Sequence, residues 1–185
     1  MTLRFSIVPV VVALMLALPA GAAAPDVKAV TPADIKATVG LINYVYEGYA
    51  NGAAERKSFF DTVPWDIETG RLVERIQRCA PSVGEPGYFD FDWPSASQDP
   101  QLQNLKVTYV GNPKPGLVTV RATFVSFKTP ITIDYDLMLY DSAPLPRRWG
   151  VANMRVHSKD LPNLPDLLTA LKSDLAGECK AYNKD

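Results

Sequence analysis

The chain has 185 residues, with 19 Lys and Arg against 20 Asp and Glu, one His and two Cys. A formal charge of −1 with no block of like charge argues against nucleic acid or an anionic membrane surface as the partner. One histidine and two distant cysteines do not make a tetrahedral zinc site, so neither a metal nor a cofactor is expected.

The first residues read as a secretory signal. Arg4 supplies a positive charge, an apolar run follows from Phe5 to Leu18, and Pro19-Ala20-Gly21-Ala22-Ala23-Ala24 offers small residues where a signal peptidase cuts. Residues 1–23 are expected to be removed after Ala22 or Ala23, because cleavage after Ala24 would leave Pro25 first. The apolar run is shorter than the roughly 20 residues of a bilayer span, which favours a cleaved signal over an anchor, and no later stretch approaches that length, so no membrane span is expected in the mature chain. The expected location is periplasmic or secreted. A little over 160 residues remain, the size of one domain. They divide into a flexible lead at 24–30 and a single domain at 31–185.

Thr31-Pro32-Ala33-Asp34 announces a helix, with a hydroxyl cap, proline at the first helical position and an acid three residues after the cap. Ile35, Val39, Ile42, Tyr46 and Tyr49 then recur at helical spacing, and the helix should end near Asn51-Gly52. Tyr44, Tyr46 and Tyr49 read either as a ligand-stacking set or as a core stripe with one rim tyrosine, and the helical spacing favours the stripe. A second helix is predicted from Ile67 to Cys79, with Leu72, Val73, Ile76 and Cys79 inward, before Pro81, Gly84, Pro86 and Gly87 stop it. The segment from Tyr88 to Gln103 is irregular.

From Leu105 the period changes to two. Leu105, Val107 and Tyr109 alternate, Gly111 to Gly116 makes a turn, and Leu117 to Phe127 is a long β-branched and aromatic strand. Lys128-Thr129-Pro130 connects it to Ile131, Ile133, Tyr135, Leu137 and Leu139, which alternate with Thr132, Asp134 and Asp136. A last strand runs from Trp149 to Val156, and a final helix carries Leu164, Leu168, Leu171, Leu175 and Cys179 on one face. Short connections imply an antiparallel meander. The predicted fold class is α+β, with N-terminal helices packed on a curved antiparallel sheet of about four strands, plus a C-terminal helix.

Cys79 and Cys179 each end a predicted helix on its apolar stripe. An even count in an exported chain favours a disulfide between them over two buried thiols. Closing a loop of about 100 residues would contribute about 4–5 kcal/mol in the chain-entropy model.

This order of elements resembles the nuclear-transport-factor-2-like cone, and more narrowly a family of exported bacterial proteins with that type of fold. The resemblance is carried by Asn43-Tyr44-Val45-Tyr46-Glu47-Gly48-Tyr49, by Phe89-Asp90-Phe91-Asp92-Trp93 with Ser97-Gln98-Asp99, and by Arg148-Trp149-Gly150-Val151-Ala152-Asn153-Met154. It covers roughly Thr31 to Val156 and leaves the C-terminal helix outside. It implies a sheet wrapped around N-terminal helices and no particular activity, although some members of the wider superfamily use the cone's pocket for catalysis.

Candidate chemistry centres on Tyr88 to Pro94 and its continuation to Pro100. Strand alternation there would put Asp90 and Asp92 on one side and Phe89, Phe91 and Trp93 on the other. The functional reading is a polar cluster at a pocket mouth, formed by Tyr44, Asp90, Asp92, Trp93, Gln98 and Asp99, that takes a cation or a basic group of a ligand or partner, its hard oxygen atoms suiting calcium or magnesium. The bland reading is an edge strand whose aromatics fill the core, with Asp99 capping a turn. Asp134 and Asp136 share a strand face and would be an acid–base pair if that face were interior. The apolar row beside them is the better core, so they are expected to face solvent, opposite Arg121. His157 lies beside Ser158 and Asp160 in sequence only, which is not a triad, and no nucleophile elbow or phosphate loop occurs. The expectation is a non-catalytic binding module that recognises an unknown protein or small ligand of the cell envelope through the concave sheet and the acidic-aromatic loop. The alternatives are a small pocket enzyme of hydrolase, isomerase or dehydratase type using Asp90, Asp99 and Tyr44, or an immunity or inhibitor protein.

Overall fold

A computed structural model describes residues 29–50, 59–79, 92–97, 101–141 and 148–177. Helix α1 (Pro32–Ala50) starts on a reciprocal cap. The Asp34 amide donates to Thr31 Oγ1 at 3.2 Å, while the Thr31 amide and hydroxyl donate to Asp34 Oδ2 at 2.9 and 2.7 Å. Two amides that a bare helix end leaves unpaired, and the Thr31 hydroxyl, are thereby satisfied. Ile42 and Tyr46 on its inner face are buried, and Val39 and Tyr49 pack beside them.

A four-residue helix, α2 (Phe59–Thr62), follows, with Phe59 and Phe60 buried against each other and against Trp65. It has too few residues for a periodicity to show, and nothing in the sequence pattern announced it. Helix α3 (Ile67–Cys79) has the predicted bounds, with Val73 and Ile76 in the core and Leu72 at its margin. Asp66 caps it, accepting the Thr69 amide at 3.1 Å.

The sheet has the order β1-β2-β3-β4, built from β1 (Gln103–Lys114), β2 (Leu117–Ser126), β3 (Thr129–Tyr140) and β4 (Arg148–His157), all antiparallel. Val118, Val120, Ala122 and Phe124 of β2 join Ile131, Ile133, Tyr135 and Leu137 of β3 and Val151, Met154 and Val156 of β4 in one core with the helices. Helix α1 lies over β1 and β2, whereas α3 and α4 (Leu167–Gly177) pack on each other and along β4.

Four local departures from expectation matter. Strand β1 continues through Gly111, Asn112 and Pro113 to Lys114, past the expected turn. Pro113 is tolerated because β1 is an edge strand, where a missing amide breaks no ladder. Three register shifts interrupt β1, one beside Asn104 at φ 57°, so Leu105 and Tyr109 are over a third exposed while Val107 packs on the core. Each shift breaks the alternation on which the inward assignment rested.

The β2–β3 turn is Phe127-Lys128, with φ of 48° and 68°, rather than Lys128 to Pro130. Positive φ at both central positions is the hairpin geometry that glycine and asparagine adopt cheaply. In other residues it costs about 1–2 kcal/mol apiece. Pro130 belongs to β3, in a non-hydrogen-bonded pair with Val125 and before β4 begins at the Thr132↔His157 pair, so its missing amide breaks no bond.

The final helix starts at Leu167 instead of Leu164. Asp166 accepts the Thr169 amide at 3.0 Å and hydroxyl at 2.9 Å, and the buried stripe is Leu167, Ala170 and Leu171.

Beyond the open edge of β4, the segment ending at Trp65 adds a one-residue parallel bridge to Val151. Asp66 N donates to Val151 O at 3.0 Å and Val151 N to Pro64 O at 2.8 Å. A Cβ at Gly150 would lie 2.6 Å from Asp66 N and 2.7 Å from the Trp65 carbonyl, so this crossing requires glycine.

Candidate functional site

The face of the sheet opposite the core carries an ordered set of polar side chains. Antiparallel register aligns Lys106, Thr123, Thr132 and His157 in one cross-strand row, then Thr108, Arg121, Asp134 and Arg155, then Gly111, Thr119, Asp136 and Asn153. Arg121 meets Asp134 fork to fork, Nε to Oδ1 at 2.7 Å and Nη2 to Oδ2 at 2.9 Å, and His157 Nε2 lies 3.1 Å from Oδ2. Arg155 reaches diagonally to Asp136, with Nη2 donating to Oδ1 at 3.0 Å and Nη1 to Oδ2, while Thr119 Oγ1 donates to Oδ1 at 2.7 Å. Diagonal neighbours lie within the span of an arginine.

Asp134 and Asp136 were expected on this face with Arg121 opposite, and they are there, but they do not face solvent. Only 6% and 8% of their surfaces are exposed, because the arginine stems close over them. Burial alone would push the Asp134 carboxyl up. The Arg121 guanidinium, with His157, outweighs it and holds Asp134 below the usual carboxylate range. Both guanidiniums are correspondingly held more firmly protonated, each chiefly by the hydrogen bonds to its aspartate. About two fifths of each arginine side chain stays exposed. The result is two guanidinium planes fixed in orientation, with their outer faces in solvent.

Beside them Val110, Gly111, Asn112 and Pro113 of β1 wall a shallow groove of about 370 Å³ that reaches Thr119, Asp134 and Arg155. Lys106, Arg121 and Arg155 stand in these rows with Asp134 and Asp136, and Asp166 adds a third carboxylate close to Arg155. Among the described residues no three His, Cys, Asp or Glu side chains gather as a metal site.

Two other polar arrangements are structural in character. In the interior, the Tyr46 and Tyr135 hydroxyls meet at 2.8 Å, both rings fully enclosed and set edge to face. Burial raises both phenols well above their ordinary value, so they stay neutral. Nearby, Tyr49 donates to Asp92 Oδ1 at 2.7 Å. Between α2 and α3 a wider concavity of about 610 Å³ is lined by Phe60, Trp65 and Gln77 among others. Its acids are already engaged, Asp61 by Gln77, Asp66 by Tyr140 and Thr69, and Glu74 by Arg78.

No protein-family model, curated protein or solved structure matches the chain.

The residues singled out by sequence land in different places. Tyr44 is 62% exposed on the outer side of α1, two residues from inward Tyr46. Asp92 begins a turn over 92–97, not a strand. Its carbonyl accepts the Ser95 and Ala96 amides at 3.2 and 2.9 Å, and its carboxylate accepts the Ser95 hydroxyl as well as Tyr49. Trp93 is fully buried in the core, as the bland reading of this segment had its aromatics. Asp90, Gln98 and Asp99 lie outside the described residues, as do Cys179 and the Cys79 side chain. His157 is drawn not to Ser158 and Asp160 but across the sheet to Asp134. Arg155 and Thr119 were not singled out. The signal for them was the period-two placement of an arginine and a threonine on the polar faces of β4 and β2.

Proposed function

We propose that the protein is an exported, non-catalytic binding module of the cell envelope, and that the open face of its sheet recognises a carboxylate-bearing protein or small ligand. The observation that carries this reading is the pair of guanidiniums, Arg121 and Arg155, anchored from beneath by buried Asp134 and Asp136. Pre-oriented arginines lose little freedom on binding, which is where much of the cost of association lies. The two guanidiniums and the groove beside Arg155 fit an acidic group.

Export rests on the signal-like residues 1–23, and a Cys79–Cys179 disulfide belongs to the same reading. Helix α3 ends at Cys79 and packs against α4, which ends two residues before Cys179. Among the described residues no helix is long and apolar enough to cross a membrane. A kinship with the nuclear-transport-factor-2-like cone is supported by α1 lying on a bulged antiparallel sheet whose closing strand, β4, contacts the helix layer through Trp65.

The test is affinity capture of the mature protein from an envelope extract, in parallel with a Lys106→Glu/Thr132→Glu variant. Those two positions share the face but make none of the ion pairs, so the ladder beneath is left intact. The expected result is a partner held by the native protein and lost by the variant. A partner retained by both moves the surface elsewhere, and capture of nothing contradicts the reading.

A second reading, the small pocket enzyme, is favoured by one observation, the Tyr49–Asp92 hydrogen bond near the buried tyrosine pair. Asp92 spends Oδ2 and its carbonyl on the 92–97 turn and Oδ1 on Tyr49, which is the ground for ranking catalysis second.

A further inference from the structure

We infer that the β2–β3 hairpin tip, Phe127-Lys128, is a preformed anchor for an envelope protein whose apolar pocket carries a carboxylate at its rim. The inference is independent of the arginine face.

Several observations converge on two residues. Phe127 is 54% exposed at the end of a hairpin, a position that a polar residue would fill at no cost to the core. Both tip residues hold positive φ without being glycine, asparagine or aspartate. Directly beneath, the Ser126 hydroxyl is buried with no hydrogen-bond partner. Two unfavourable features thus meet at one tip, where Asn-Gly would form the same turn without strain. Strain of this kind persists only where the surrounding structure enforces it, and it gathers at binding elements.

The enforcement is visible. β2 and β3 pair without a shift from Leu117↔Met138 to Ser126↔Thr129, and Thr129 Oγ1 donates to Asp160 Oδ2 at 2.7 Å, tying the base of the tip to the loop after β4. Phe127 is therefore held out on a rigid support, the arrangement in which an aromatic anchor gives most affinity for least lost freedom.

Charge sets the partner's chemistry. Lys128 and Lys159 are exposed around the tip, and the neighbouring acid, Asp160, is bonded to Thr129. An apolar socket with an acidic rim matches Phe127 and Lys128 together. A lipid surface fits less well. Stable membrane attachment takes two substantial signals, and a single apolar side chain beside two lysines does not supply them.

The experiment places a benzoylphenylalanine cross-linker at position 127 in intact producing cells, and separately at Tyr44, which among the described residues is the other aromatic more than half exposed. One discrete protein adduct is expected from position 127, absent from position 44 and abolished when Lys128→Glu is added. With the cross-linked protein purified, native chain and a Phe127→Asn/Lys128→Gly variant are compared for binding and for urea stability. The variant is expected to unfold at higher urea, because the strain is gone, and to bind about tenfold or more weaker. Equal binding by the variant, or no discrete adduct from position 127, overturns the inference. So does a lipid adduct, or Phe127-dependent sedimentation with phosphatidylglycerol vesicles, either of which assigns the tip to a membrane instead.

Discussion

Substituting alanine at two glycines should change stability in opposite directions. At Gly150 the new Cβ would lie 2.6 Å from Asp66 N and 2.7 Å from the Trp65 carbonyl carbon and oxygen. All three are backbone atoms, so no side chain can swing aside. The chain yields in one of two ways. The Trp65 strap stays and β4 distorts, the overpacking case, at about 1–3 kcal/mol. Otherwise the strap lifts and gives up the Asp66–Val151 and Val151–Pro64 hydrogen bonds, about 0.5–1.5 kcal/mol each. Either way Gly150→Ala should destabilise by about 2 kcal/mol. At Gly40, exposed within α1, an added Cβ meets nothing within 4 Å. There alanine removes glycine's entropic cost in a helix and should stabilise by about 0.5–1 kcal/mol. Urea unfolding of both variants, read by circular dichroism at equal m-value, measures the two changes. A Gly150→Ala loss below about 0.5 kcal/mol, the level of an ordinary surface change, would refute the close crossing.

Removing one hydroxyl of the buried tyrosine pair, by Tyr135→Phe, should cost about 1–3 kcal/mol, because the Tyr46 hydroxyl is then stranded at 0–2% exposure of its site. The double Tyr46→Phe/Tyr135→Phe variant should lose less than the sum of the singles, a coupling that a double-mutant cycle in urea reads directly. Asp134, Asp66 and Asp166 are each held below the usual carboxylate range: burial pushes each up, and hydrogen bonds, to Arg121, Tyr140 and Thr169 foremost, outweigh it. The folded state therefore binds fewer protons than the unfolded one near pH 4. Their stabilisation is complete above the unfolded value of about 3.9 and is lost as pH falls through the lower folded values. Urea midpoints should drop steeply below about pH 4, and Asp134→Asn should flatten that slope. Thr31→Ala, which opens the α1 cap, should cost about 1 kcal/mol in the same assay.

Much of the fold was legible because it is written locally. The α1 cap and the α3 boundaries follow from adjacent residues, and the β3 alternation of Ile131, Ile133, Tyr135 and Leu137 named the core face correctly. The β2–β3 turn was not legible, since Phe127-Lys128 carries no turn chemistry and sheet pairing, rather than propensity, imposes the geometry. The extension of β1 through Pro113 was hidden by residues that ordinarily mark turns. Alternation put Asp134 and Asp136 on the right face but could not give their burial, which depends on Arg155 arriving from another strand. Tyr46 and Tyr135, 89 residues apart, each read as an apolar position, and only the packing shows their shared hydrogen bond.

The most direct test of the arginine face is the affinity of the captured envelope partner for native protein and for Lys106→Glu/Thr132→Glu, measured over a range of salt. Recognition by the arginine face predicts a loss of about tenfold or more in the variant, carried largely by slower association, and a native affinity that weakens with salt. Equal affinity of the two proteins, with no dependence on salt, would contradict it.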